Sequence, residues 1–88
     1  MNIEIKLNLA FQEQAGSKEK VEVNGTTVKE CLDDFIRRYP RIKNWMFDNN
    51  GLLKPLVLIN GEVLSMQDLN CSISENDELW ILDILEGG

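Results

Sequence analysis

A chain of 88 residues with 43% hydrophobic and 27% charged residues has the composition of one ordinary globular domain, which excludes disorder along its whole length. Its 15 acidic and 9 basic residues give a net charge of −6. That charge is repelled by phosphate backbones and anionic lipid surfaces, so no nucleic acid and no membrane is expected as a partner, and a basic protein surface is a better match. The same charge would also serve simply to keep a small domain soluble.

Several other features narrow the class. No stretch approaches the roughly 20 apolar residues of a membrane span, and Met1-Asn2-Ile3-Glu4-Ile5-Lys6 lacks the basic start and apolar run of a signal peptide. Cys31 and Cys71 form neither a close pair nor a metal-ligand spacing, so both are read as reduced thiols of a cytoplasmic protein that binds no metal.

In chain order, Ile3, Ile5, Leu7 and Leu9 alternate with polar residues, which predicts a strand over 2–9 with one buried and one wet face. Ala15-Gly16-Ser17 marks a turn, and Lys20-Val21-Glu22-Val23 gives a second strand, paired with the first across a loose loop. Thr27-Val28-Lys29-Glu30 has the form of a capping box, in which the Thr hydroxyl and the Glu carboxylate satisfy backbone N–H groups reciprocally. Val28, Cys31, Leu32, Phe35 and Ile36 follow at helical spacing as one apolar stripe, and Tyr39-Pro40 stops the helix. Cys31, on that stripe, is read as a core residue.

Residues 41–47 suggest a further short helical turn, and Asp48-Asn49-Asn50-Gly51 a turn. Leu56–Ile59, Asn60-Gly61 and Glu62–Leu64 then spell a strand, a tight hairpin turn and a short strand. Met66–Asn70 reads as an irregular or 3₁₀ piece, and Ser74–Asp77 turns the chain into a last strand over 78–84. The fold class is therefore α+β: a mixed sheet of about four to five strands with one main helix across one face, and the apolar first and last strands side by side at the centre. Residues 1–84 form the domain and 85–88 an extended tail.

No group of residues suggests catalysis. The chain has no histidine and no phosphate-binding glycine loop. Asp33 and Asp34 are adjacent on the helix and do not face one another, and Glu75, Asp77 and Glu78 sit in a turn as ordinary solvated charge. Two features stand out instead. Leu56 and Leu58 alternate with Val57 and Ile59, and Trp80 and Leu82 with Leu79 and Ile81, so both faces of these strands are apolar. Either the open face carries an apolar partner site or the 40–55 segment folds over it. The second feature is the end, where Leu85, Glu86, Gly87 and Gly88 follow directly on a strongly apolar strand. Four extended residues reach about 13 Å, and glycine threads a narrow channel while leaving its carbonyl open to attack.

Glu13-Gln14-Ala15-Gly16, Thr27-Val28-Lys29-Glu30-Cys31-Leu32, Arg38-Tyr39-Pro40-Arg41-Ile42, Leu58-Ile59-Asn60-Gly61-Glu62, Asn76-Asp77-Glu78-Leu79-Trp80-Ile81 and the terminal Gly87-Gly88 together resemble the MoaD/ThiS family of ubiquitin-like β-grasp sulfur carriers, with chain length favouring the small subunit of molybdopterin synthase. The resemblance implies a carrier that is not itself an enzyme and binds no cofactor. A ubiquitin-activating-type enzyme (MoeB/ThiF-like) would use ATP to adenylate Gly88, and a sulfur donor would convert the adenylate to a thiocarboxylate. A MoaE-like large subunit would then receive the tail for molybdopterin synthesis. Gly88 would react, Gly87 give clearance, Leu85 and Glu86 contact the partner, and Trp80, Leu82 and Leu58 dock it. The same pattern fits a thiamine-pathway carrier, an archaeal-type modifier joined through Gly88 to target lysines, or a passive interaction domain that needs no free terminus.

Overall fold

The computed structural model describes residues 2–83. Period-two alternation folds as it implies at the start: Ile3, Ile5 and Leu7 are buried along β1 (Asn2–Leu7), while Asn2 and Glu4 are exposed. The strand ends two residues earlier than the alternation suggests. Asn8 Oδ1 accepts the Phe11 N–H at 3.5 Å and starts a short helix, α1 (Leu9–Gln14), where a loose loop was expected. Leu9 continues the alternation but is 72% exposed, whereas Phe11 and Ala15, one helical turn apart, are fully buried. Helical spacing thus prevails over the last step of the strand pattern.

β2 (Lys20–Asn24) returns antiparallel to β1 with Ile5 opposite Val21 and Ile3 opposite Val23. The main helix, α2 (Val28–Arg38), is capped by Thr27, whose hydroxyl accepts the Glu30 N–H at 3.1 Å. The Glu30 carboxylate accepts the N–H of Thr26 at 2.7 Å, one residue before the cap, so the reciprocal bond of the capping box is displaced by one position. Val28, Cys31, Leu32 and Phe35 are buried, and Ile36 packs at the edge of the core. A 3₁₀ turn over Pro40–Ile42 leads into α3 (Lys43–Met46), the short helical piece expected over 41–47.

β3 (Leu56–Ile59) and β4 (Glu62–Val63) are joined by Asn60 and Gly61 with φ of 52° and 85°, the positive pair that a tight Asn-Gly hairpin requires. β4 is shorter than expected, and Leu64 packs against the core beyond it. A 3₁₀ turn over Met66–Asp68 precedes β5 (Leu79–Leu82), which begins one residue later than the sequence pattern suggests. Its expected end at Ile84 lies outside the described residues.

The sheet order is β2-β1-β5-β3-β4, with β1 and β5 parallel and the other pairs antiparallel. First and last strands therefore meet at the centre, as expected. Parallel neighbours need a crossover, and α2 with the segments after it provides one. Ile3, Ile5, Leu7, Val21, Val23, Val57, Leu79 and Ile81 line one sheet face and form a single core with Leu32, Phe35, Ile42 and Met46.

Candidate docking face and tail exit

Because side chains alternate along a strand, the residues between the core positions all point to the opposite face. The register places Lys6 beside Trp80, Trp80 beside Leu58, and Leu58 beside Val63, one row running across β1, β5, β3 and β4. Leu56 lies beside Leu82 in the next row. Leu56, Leu58, Trp80 and Leu82 are half-buried and stand apart from the core cluster, and Val63 is 59% exposed. The structure thus brings Trp80, Leu82 and Leu58 together on the face opposite α2.

The alternative cover, the 40–55 segment, lies on the other side. Ile42 and Met46 are fully buried in the core, and the Trp45 ring meets Phe11 edge-on at 5.8 Å. Leu53 and Phe47 pack against the same cluster. Helical burial of Ile42 and Met46, four residues apart, turns this segment toward the helix layer and away from Trp80.

Charge is sorted along the face. Beside the apolar strip, a groove of about 650 Å³ is lined by Lys6, Lys18, Lys20, Trp80 and a single acid, Glu19, with Lys6 Nζ 5.7 Å from the centre of the indole. β5 runs parallel to β1, so this basic groove sits at the end of the sheet where β5 leads into residues 84–88. Toward the other end a groove of about 430 Å³ is lined by Glu4, Glu22, Glu75, Asp77 and Glu78. Lys6 bridges the two regions, donating to Glu78 at 2.7 Å, and this bond from Lys6 holds the Glu78 carboxyl below its usual range. Asp77, read as a solvated turn charge, accepts from the Asn60 side chain at 2.9 Å and the Ser74 N–H at 2.8 Å. Those two bonds, the Asn60 one first, lower its pKa and tie the β3–β4 turn to the start of β5.

One residue that the sequence reading passed over positions the strand end. Asn8, besides capping α1, donates from Nδ2 to the Asp83 carbonyl at 3.3 Å, and its backbone N–H reaches the Ile81 carbonyl at 3.4 Å. The signal available in sequence was an N-cap residue type at the end of an alternating run. Leu85, Glu86, Gly87 and Gly88, the expected tail residues, lie outside the described residues.

The titratable groups off this face are structural. Asp34 accepts from the Asn24 N–H at 2.8 Å and from Arg38 and Arg37 at 2.8 and 2.6 Å, which lowers its pKa to about 2. Burial pushes the Cys31 thiol up to about 11, so it stays protonated and makes a poor nucleophile. Among the described residues no three His, Cys, Asp or Glu side chains converge as a metal site, and no helix is long and apolar enough to cross a membrane.

A mixed sheet with a parallel central pair and one main helix across one face defines a ubiquitin-like β-grasp fold. The chain belongs to the ThiS family, whose model matches residues 5–88. Among solved structures it is similar to SAMP1 from Haloferax volcanii, with 30% identity over the full length of both chains and a TM-score of 0.84. It also resembles a chain of the BexX/CysO complex of Amycolatopsis orientalis, at 25% identity over 98% of this chain and 99% of that one, with a TM-score of 0.79. A chain in the complex of subunits 1 and 2 of the molybdopterin-converting factor from Helicobacter pylori shares the fold, with 18% identity over the full length of both chains and a TM-score of 0.63. No curated protein matches the sequence.

Proposed function

We propose that the protein is a sulfur carrier whose working group is the Gly88 carboxylate. The observation that carries this reading is the family match, which runs through Gly87-Gly88 and so takes in the diglycine that follows β5. A carboxylate is a poor electrophile, so a partner enzyme of the adenylating class activates it with ATP. Attack by the outer sulfur of a donor persulfide on the acyl-adenylate expels AMP and gives an acyl disulfide; a second thiol then attacks the donor's own sulfur, forming a disulfide with it and releasing the thiocarboxylate. The chain binds no cofactor of its own and serves as substrate and docking surface.

The open face is the docking surface in this reading. Trp80, Leu82 and Leu58 supply the apolar centre, and the flanking charges orient the partner. Gly87 gives clearance in the partner's channel, and Leu85 and Glu86 contact its walls. The CysO relative is crystallised with BexX and the molybdopterin-factor relative with its second subunit, which supports a protein partner here as well. The sulfur acceptor in the proposal is the pterin precursor of molybdopterin synthesis, received with a large synthase subunit, and a thiamine precursor is the alternative within the class.

The test is an intact mass spectrum after incubation with ATP, a cognate adenylating enzyme and a sulfur donor. Replacement of one oxygen by one sulfur, lost on deletion of Gly88, is the expected result. An unchanged mass with an enzyme active on another carrier overturns it. A second reading has its own observation: the relative at 30% identity is a small archaeal modifier protein. As a modifier, the chain would be joined through Gly88 to lysines of other proteins. Proteolysis after Glu86 would then leave Gly-Gly on those lysines, visible by peptide mass spectrometry of cell extract.

A further inference from the structure

The sheet has two free edges, and they are unequal. β4 has two residues, whereas β2 runs over five, Lys20–Asn24. Leu7 N–H donates to the Glu19 carbonyl at 3.0 Å, and the register continues through Ile5 opposite Val21 and Ile3 opposite Val23. Backbone groups alternate sides along an antiparallel strand. Glu19, Val21 and Val23 therefore bond β1, while Lys20, Glu22 and Asn24 turn their N–H and C=O groups outward. The Asn24 N–H is taken by Asp34 at 2.8 Å. Among the described residues nothing bonds the outward N–H and C=O of Lys20 or Glu22.

A free edge invites another strand, and charged side chains commonly guard it. Here the guard charges alternate in sign, which gives the edge a self-complementary register. We propose that β2 pairs antiparallel with β2 of a second copy of this chain, centred on Val21. In that register Lys20 lies opposite the second copy's Glu22, and Glu22 opposite its Lys20, each a hydrogen-bonded pair with an opposite-charge cross-strand contact. A shift of two residues either way sets Lys20 against Lys20 or Glu22 against Glu22, which repel. A shift of one places outward groups against inward ones and makes no ladder. Within Lys20–Asn24, only the Val21-centred register satisfies both backbone and charge. Lys20 reaches Glu4 of its own chain at only 3.4 Å, and both side chains are largely exposed, so that contact yields readily to a second partner.

The resulting sheet is continuous through both copies. Its two-fold axis is perpendicular to the sheet, so both open faces lie on the same side and the two β5 strands point in opposite directions. Two copies thereby present their docking faces together. The pairing does not depend on what Gly88 carries.

A single strand pair buries less than a standard interface, so association should be weak, with half-dimerisation at about 1 mM chain. Sedimentation equilibrium and concentration-dependent amide shifts of the full chain test it. The wild type should dimerise, with Lys20 and Glu22 amides shifting. K20E and E22K should each reduce association at least ~10-fold, because each presents one sign of charge at both positions. An equimolar mixture of K20E and E22K should restore it, as should the double swap K20E/E22K, and neither rescue is available to a misfolded chain. A wild type that is monomeric above about 1 mM, or single variants that associate like the wild type, overturns the proposal and leaves these charges as an edge guard only.

Discussion

On the covered face of the sheet Ile5, Leu79, Ile81 and Val57 meet α2 and its neighbours and lose all contact with solvent. Their immediate neighbours Lys6, Trp80, Leu82, Leu56 and Leu58 stand on the opposite face and remain only partly buried. The same strands build both faces, and in β3 and β5 the two faces are almost equally apolar. What separates them is the supply of cover: α1, α2 and α3 all lie on one side. An apolar strip that the described residues leave uncovered is available to a partner, so under the proposed function the contrast between the faces is also a division between stability and recognition.

The sharpest way to break this division is to damage the covered face. Phe35 is fully buried and meets Tyr39 edge-on at 5.7 Å. Phe35→Ala should cost about 3–5 kcal/mol, a large share of the roughly 5–15 kcal/mol that holds a small domain together. Thermal and urea unfolding should show a melting temperature lower by about 15–30 °C. A shift of only a few degrees would mean that the helix layer contributes little.

Gly25 tests the seam where β2 hands over to α2. A Cβ built there would lie 2.8 Å from the Cys31 backbone nitrogen and 2.9 Å from its Sγ. The first of these is helix backbone, which cannot move aside cheaply. Gly25→Ala should therefore destabilise by about 1–3 kcal/mol through overpacking, read from the urea midpoint, although the residue lies off the open face.

How far the sequence discloses this arrangement differs between the two faces. The covered face was legible, since the stripe of α2 and the alternation of β1 and β5 name its residues and the central pairing follows from their apolarity. The capping residue and the Asn60-Gly61 turn were legible because each rests on local backbone chemistry. α1 was hidden, because Leu9 prolongs a strand pattern and only Phe11 and Ala15 betray the helix. The openness of the second face was not decidable, since it depends on where Ile42 and Met46 dock, a long-range packing choice. The roles of Asn8 and Asp34 were equally hidden: each bonds backbone far from it in sequence or on another element.

Asp34 turns this last point into a pH experiment. Its carboxylate, whose side chain is 11% exposed, holds the end of β2 against α2. Bonds from the Asn24 N–H first, then from Arg38 and Arg37, lower its pKa from 3.8 to about 2. A depressed folded-state value means that the ionised form stabilises the fold, fully above the unfolded value and decreasingly as pH falls toward about 2. Asp34→Asn should lose on the order of 1–2 kcal/mol at pH 6, and its gap from the wild type should narrow steadily between about pH 4 and pH 2. A gap that stays constant with pH would assign the loss to packing or to the hydrogen bonds alone.

The smallest effect on stability is expected on the open face, and there it carries the most information. Trp80 is partly buried at the centre of β5, flanked by Lys6 and Leu58. Trp80→Thr puts a β-branched residue in place of the aromatic one, so the intrinsic preference for extended backbone is retained, while the indole contacts with its row and with the Glu78 carboxylate are lost. Unfolding free energy should fall by about 1 kcal/mol, because the indole is only partly buried against its row. In the proposed adenylation reaction, by contrast, the KM for this chain should rise by about 10-fold or more with kcat unchanged, the pattern expected when a contact serves binding rather than chemistry. A fall in kcat with KM unchanged would place Trp80 near the reacting end instead of in a docking surface. Loss of stability comparable to that of Phe35→Ala would show that this face is a second core, and the division drawn between the two faces would fail.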